Sequence, residues 1–192
     1  EDRFQWMNAE PESTELKEQL ERVAKNLPVG YQSEINLAAN AWVQSIADTL
    51  EAGVVLLLDY GFPRHEYYHP ERSAGTLMCH YRHRAHDDPF VYPGLQDITA
   101  HVDFTAIAET AQASGLEVSG YTSQAYFLLS NGLTELAEAN ASNERDQLLC
   151  AQQIRTLTMP GEMGELFKVM ALTKNYESAL TGFSMLDARH KL

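Results

Sequence analysis

The stretch that decides the fold is Gly53-Val54-Val55-Leu56-Leu57-Leu58-Asp59-Tyr60-Gly61. Five consecutive apolar residues, with no polar residue at alternate positions, predict a strand buried on both faces. That is the state of an inner strand in a sheet with helices packed on each side. The apolar run stops on an acid and then reaches a glycine. In open α/β sheets, ligands bind outside the carboxyl ends of the strands. Asp59 and Tyr60 are therefore candidate site residues. The plainer alternative is that Asp59 caps a turn and Gly61 lets the chain reverse.

Immediately upstream, Leu37, Ala41, Trp42, Ser45, Ile46 and Leu50 form the expected buried stripe of a helix, with Asn36 as its cap and Gly53 as its stop. Helix, glycine, buried strand is the grammar of an α/β fold. Glu34, just ahead of this helix, is either a ligand-binding acid or a partner of the helix dipole. Further back, Ser13 or Thr14 caps a helix with Leu16, Leu20, Val23, Ala24 and Leu27 at helical spacing, ended by Pro28 and Gly30. Residues 1–11 mix apolar and polar positions up to Pro11 and read as the remnant of a strand or hairpin.

Downstream, residues 62–102 are irregular and hold His65, His69, His80, His83, His86 and His101, six of the seven histidines. A loop of this length inside a compact domain is functional or disordered. Its aromatics and the apolar pieces Gly75–Met78 and Pro89–Tyr92 favour an ordered, functional loop. Asp103 caps a helix lined by Phe104, Ile107, Ala108 and Ala111, and Leu116–Tyr121 reads as a strand. Helices follow over 123–131, 134–140 and 142–157, then a late strand Phe167–Leu172. Residues 175–192 carry Tyr176, Leu180, Phe183 and Met185, enough to pack back onto the body.

The bulk numbers narrow the classes. A chain of 192 residues, 44% apolar, buries one sizeable core. A net charge of −13 argues against a general nucleic-acid or anionic-membrane surface and permits a basic protein partner. No apolar run approaches the ~20 residues needed to cross a bilayer, so no membrane insertion is expected. Cys79 and Cys150 form no metal-like pair and suit a reducing compartment. The chain opens Glu1-Asp2-Arg3-Phe4, without an initiator Met or targeting composition, which suggests part of a longer polypeptide.

Among constellations that carry chemistry, His80, His83 and His86 at intervals of three invite a metal reading. Arg82 and Arg84 between them disfavour a cation, and neither HExxH nor a finger-type Cys pair is present, so no metal site is assigned. A Cys79–His nucleophile lacks a third group. Neither GxGxxG after a strand nor GxxxxGK[ST] occurs, so a nucleotide-like ligand needs its main loop from elsewhere. What remains is a polar, aromatic set of Tyr60, Tyr67, Tyr68, Tyr81, His83, Arg84, Asp97, His101 and Asp103. Such a set suits a cationic or aromatic substrate group, or simply hydrogen-bonds a long loop to itself.

One ordered series is recognisable. It runs Glu34-x-Asn36, Ala41-Trp42, Gly53 to Gly61, Gly75-Thr76-Leu77, Tyr81-Arg82-His83-Arg84 and Asp88-Pro89. It continues with Pro93-Gly94, Asp97-Ile98-Thr99, His101-Val102-Asp103-Phe104, Thr122-x-Gln124, Phe127-Leu128 and Met163-Gly164-x-x-Phe167-Lys168-Val169. From about residue 34 to 172 this resembles the MidA-like family of S-adenosylmethionine-dependent methyltransferases, whose mitochondrial members assist respiratory complex I. Asn36-Leu37 departs from the Ser-Pro more frequent in that family.

The resemblance implies an α/β fold: the C-terminal part of a Rossmann-like class I methyltransferase sheet, with flanking helices and a long substrate-side loop at 62–102. Gly53–Asp59 would be its fifth strand, Leu116–Tyr121 its sixth and Phe167–Leu172 its antiparallel seventh. Residues 1–174 would be the C-terminal half of the methyltransferase domain and 175–192 a tail packed on it. The cofactor would be S-adenosyl-L-methionine, with its glycine-rich loop outside this chain, so the isolated fragment would be inactive. The acceptor would be a protein side chain, an arginine nitrogen by analogy with mitochondrial relatives, on a partner such as a respiratory complex subunit. By residue type and motif, Asp59, Tyr60 and Asp103 are the expected catalytic residues. Glu34, Tyr81, His83, Arg84, Asp97 and His101 are the expected substrate-binding ones. Asp103 competes for a role as helix cap. Localisation would be cytoplasmic in a bacterium and the mitochondrial matrix in a eukaryote. A truncated sheet leaves an open edge, which implies self-association into a homo-oligomer. Two other readings stand beside this one: a non-catalytic assembly or binding factor with the same fold, and a metal-dependent hydrolase using the histidine loop.

Overall fold

The computed structural model describes residues 3–192. In chain order it carries α1 (Thr14–Val23), α2 (Leu37–Thr49), β1 (Gly53–Phe62), α3 (Arg64–Tyr67), β2 (Met78–Tyr81), β3 (Arg84–His86) and β4 (Asp97–Thr99). Then come β5 (Val102–Asp103), α4 (Phe104–Ala113), β6 (Glu117–Ser123), α5 (Gln124–Ser130), α6 (Leu133–Asn140), α7 (Glu144–Thr158), α8 (Met163–Leu166) and β7 (Phe167–Lys174). The chain divides into two compact units. One takes the residues up to Ala39 with His65–His101; the other takes Asn40–Arg64 with Val102–Leu192.

The second unit is built on a sheet of order β5-β1-β7-β6. β7 pairs antiparallel with β1, from Lys174 opposite Gly53 to Phe167 opposite Tyr60. On its other side it pairs antiparallel with β6, with a register shift between Val118 and Gly120. Bonded on both edges and covered on both faces, β7 is the inner strand: Val169, Met170, Ala171 and Leu172 are each 0% exposed. Burying a Val, Leu or Met side chain contributes ~1.5–3 kcal/mol, so this strand anchors the unit. On one face, Val169 and Ala171 cluster with Phe183, flanked by Val54, Phe127 and Leu180. Gly120 makes room for that ring, since a Cβ there would stand 2.4 Å from Phe183. The chain's end is fastened to β6: Ala188 N donates to Tyr121 O at 2.6 Å, and Arg189 Nη1 to Val118 O at 3.0 Å.

β1 corrects the expectation drawn from its apolar run. Leu56 is 46% and Leu58 52% exposed, so the strand is not buried on both faces. Both side chains share a face with Ala171 and Val169 across the register, but the Phe183 cluster covers that face over β7. The second edge of β1 pairs only at Gly61 and Phe62, parallel to β5. The strand also continues through Asp59-Tyr60-Gly61 to Phe62, so neither Asp59 nor Tyr60 ends it and Gly61 is no reversal point. A Cβ on Gly61 would lie 2.2 Å from the Val102 carbonyl oxygen; the glycine serves close strand approach.

In α2 the buried stripe is turned from the expected one. Val43 and Ala47 face inward, whereas Trp42 is 50% exposed. Lys174 Nζ, from the end of β7, donates to the Ala47 carbonyl at 2.6 Å and ties the helix to that strand. α4 follows the sequence pattern, with Phe104, Ile107, Ala108 and Ala111 buried.

In the first unit, α1 is capped by Ser13, whose side chain accepts from Leu16 N, and buries no residue. The 65–101 segment is more ordered than its composition suggests. It folds a three-stranded antiparallel sheet of order β3-β2-β4, with Cys79 fully buried. Residues 3–12 form no strand or hairpin. Instead Phe4 and Trp6 lie against Phe90, with ring centroids at 6.2 and 5.3 Å. Among the described residues, no helix is long and apolar enough to cross a membrane.

Candidate functional site

Of the expected site residues, Glu34, Tyr81, His83, Arg84, Asp97 and His101 belong to the first unit, and Asp59, Tyr60 and Asp103 to the second. Each group is described within its unit.

Glu34 is a latch. Its carboxylate accepts from Thr76 N at 2.9 Å, Thr76 Oγ1 at 2.8 Å and Leu77 N at 3.1 Å. Gly75, at φ +78, brings that backbone within reach, and a Cβ there would stand 2.4 Å from Glu34 Oε1. Thr76 Oγ1 in turn accepts from His101 N at 3.0 Å. Glu34 and His101, separated widely in sequence, are thereby joined through Thr76, a buried residue that side-chain chemistry alone did not single out. Its only signal in the sequence was its place in Gly75-Thr76-Leu77.

Tyr81 and Arg84 face each other across the end of the β2–β3 hairpin, whose two turn residues, Arg82 (φ 49) and His83 (φ 63), are both left-handed. Two-residue hairpins of this kind favour Asn-Gly, so two bulky residues at positive φ store strain, of a sort that clusters at functional sites. The Tyr81 ring stacks on Tyr92 at 4.4 Å, and the Arg82 guanidinium lies 5.3 Å over it. His83 and Arg84 are exposed, as is Asp97, which pairs with His80 in the β2–β4 ladder.

In the second unit, Asp59 is an exposed carboxylate whose Oδ1 accepts from Tyr60 N at 2.8 Å. Tyr60 meets Phe167 edge-on at 5.6 Å. Asp103 is more committed. One oxygen caps α4 by accepting from Ala106 N at 3.1 Å, and the other lies 3.5 Å from Arg64 Nε. Arg64 forks onto Glu109 with two bonds of 2.7 Å. Burial raises the Asp103 carboxyl above its ordinary range, against the lowering pull of Ala106 N–H and Arg64. Sequence reasoning missed Arg64; only the tertiary contact identifies it.

Burial pushes the Cys79 thiol up, with Asp88 and Asp87 adding to the shift, which keeps it from the thiolate form. Among the described residues no three His, Cys, Asp or Glu side chains gather to hold a metal ion. The crowded glycines Gly61, Gly75, Gly120, Gly164 and Gly182 are each filled by this chain's own atoms.

The fold defines a class of protein. An antiparallel β7 set between β1 and β6 is the arrangement of the fifth, seventh and sixth strands in a class I methyltransferase sheet. Residues 1–122 match the family model described as "Putative S-adenosyl-L-methionine-dependent methyltransferase". The chain belongs to that family.

A crystal structure from Burkholderia thailandensis, described as a "likely methyl transferase" bound to S-adenosyl-homocysteine, superposes with a TM-score of 0.87. It is 48% identical, over 91% of this chain and 46% of that one. A second, native structure from the same bacterium gives 0.89 at 45% identity, over 96% of this chain and 50% of that one. The mitochondrial "Protein arginine methyltransferase NDUFAF7 homolog" of Drosophila melanogaster is 30% identical over 72% of this chain and 31% of its own length. The rat mitochondrial protein arginine methyltransferase NDUFAF7 is 33% identical over 67% of this chain and 28% of its own length. The chain therefore spans about half the length of these solved relatives and under a third of these curated ones.

Proposed function

We propose that this chain is the carboxyl-terminal part of an S-adenosylmethionine-dependent protein methyltransferase that modifies an arginine side chain. The observation that carries the reading is 48% identity across nearly the whole chain to a structure with S-adenosyl-homocysteine bound. The arginine acceptor is taken from the names of the mitochondrial relatives. The cofactor supplies an electrophilic methyl group when bound; this chain's residues hold the acceptor. A guanidinium is planar, carries five donors and stays charged, so an exposed carboxylate oriented by its own backbone suits it. Asp59, fixed by Tyr60 N–H, is that carboxylate. Asp103 and Glu34 act by positioning: one starts α4 and pairs with Arg64, the other ties residues 75–77 to its own segment.

Methyl transfer by the full-length enzyme tests the assignment. Asp59→Ala lowers turnover by an order of magnitude or more, and unchanged turnover removes Asp59 from the site. Calorimetry of the 192-residue chain with S-adenosylmethionine gives negligible heat; micromolar affinity overturns the expectation that the main cofactor loop lies elsewhere. A second reading, a non-catalytic assembly factor with this fold, draws on the internal engagement of both Glu34 and Asp103. Absence of methyl transfer by intact wild-type enzyme to any arginine-bearing partner selects it.

A further inference from the structure

The β2–β3 hairpin borders a cavity of about 680 Å³, lined among others by Tyr81, Arg82, Arg84, His86, Asp88 and Tyr92. That volume is of the size that holds a bound side chain or small ligand. Within a chain of net charge −13, its wall is rich in cationic groups. Arg82 lies in the strained turn and Arg84 just after it, while Asp88 is engaged locally, its Oδ1 accepting from Phe90 N at 2.9 Å. His86 meets the Tyr92 ring edge-on at 6.1 Å, and both its ring nitrogens are shielded from solvent with no hydrogen-bond partner.

Two arginines repel a substrate guanidinium, and the Tyr81 ring already carries Arg82 over it. The same groups suit a carboxylate, which Arg binds through a fork of parallel donors. β3 is an edge strand of its sheet, so an extended segment can add main-chain bonds beside the cavity. Val91 and Tyr92, 48% and 40% exposed, offer it apolar contact.

We propose that this cavity docks an acidic segment of a protein partner, seating a Glu or Asp carboxylate against Arg82 and Arg84. The inference rests on the protein-substrate part of the proposed function and not on methyl transfer, because binding is read at equilibrium on this chain without cofactor. The probes are fluorescein-labelled acetyl-Glu-Glu-Tyr-Glu-amide and its Gln and Lys counterparts, followed by anisotropy. The Glu peptide binds at least tenfold tighter than the Gln peptide, and the preference shrinks with added salt. Arg84→Gln and Arg82→Gln each weaken the Glu peptide about tenfold, Arg84→Lys weakens it less, and Arg155→Gln on α7 leaves it unchanged. Circular dichroism confirms that each variant is folded; should Arg84→Gln unfold, Arg82→Gln and Arg84→Lys carry the test. Equal binding of Glu and Gln peptides, tighter binding of the Lys peptide, or insensitivity to the arginine substitutions overturns the proposal.

Discussion

β1 and β7 lie side by side from Gly53–Lys174 to Tyr60–Phe167, yet they are covered to different degrees. β1 has the more uninterrupted apolar run, and its Leu56 and Leu58 are about half exposed. β7 carries Lys168, Thr173 and Lys174 within its span, and its centre is sealed. The difference teaches that hydropathy marks which residues a fold intends to cover, whereas coverage depends on what stands beside them. β7 finds β1 and β6 on its edges and Phe183 on its face. β1 finds β5 over only two residues of its other edge. The solved relatives are about twice as long as the region they share with this chain. The open edge and the exposed Leu56–Leu58 face leave room for a further strand and cover on this side of β1.

The largest test of that contrast is truncation. Leu172→Ala, at a position 0% exposed, lowers stability by ~2–5 kcal/mol in urea unfolding. Leu56→Ala in the same chain costs about 1 kcal/mol or less, because roughly half the side chain is already in water. Similar losses at both sites would break the comparison. Next in size, Gly61→Ala drives a Cβ into the Val102 carbonyl and destabilises by ~1–3 kcal/mol, whereas Gly161→Ala, with open space around it, is near neutral. Asp103→Ala removes the α4 cap and costs ~1 kcal/mol; Asp103→Asn keeps a capping oxygen and recovers most of that.

The Asp103 carboxyl also sets a pH dependence with a definite sign. Its folded pKa is raised, chiefly by burial, so the native state binds more protons than the unfolded chain in the window just above the ordinary carboxylate range. Stability therefore falls as pH rises through that window and is level above it. Thermal melts of Asp103→Asn lack this component, and an identical pH profile would remove it. Most telling about the open edge, Leu56→Lys with Leu58→Lys costs this chain no more per site than Leu56→Ala, because each Lys lays its aliphatic stem over the same surface and keeps its charge in water. Light scattering detects self-association of the unmodified chain through the open edge and a monomer for the variant. A strict monomer in both removes the self-association expectation.

Much of the architecture was legible in the residues. The helix–glycine–strand order and the α4 stripe beneath an Asp cap follow from local periodicity, and the identities of the fifth, sixth and antiparallel seventh strands from the family resemblance that the ordered motif series carries. Local signals carry such elements because a cap, a glycine or an apolar period acts within a turn or two of chain. The orientation of α2 did not follow, since Trp42 looks like core by type while Val43 and Ala47 are the buried positions. The small β2–β3–β4 sheet was hidden because its strands are three or four residues long and its turn lacks glycine.

By itself, then, the sequence determined the family and, through that resemblance, the strand sequence of the sheet, together with the residue types of the candidate site. Those properties are written in short-range pattern and in the order of motifs. Only the tertiary structure decided that β7 and not β1 is the sealed strand. It alone decided that Glu34 holds Thr76, that Asp103 is shared between α4 and Arg64, and that Arg82 covers Tyr81. Each of these depends on which distant segments meet, and a carboxylate's neighbours in space, not in sequence, fix what its two oxygens do.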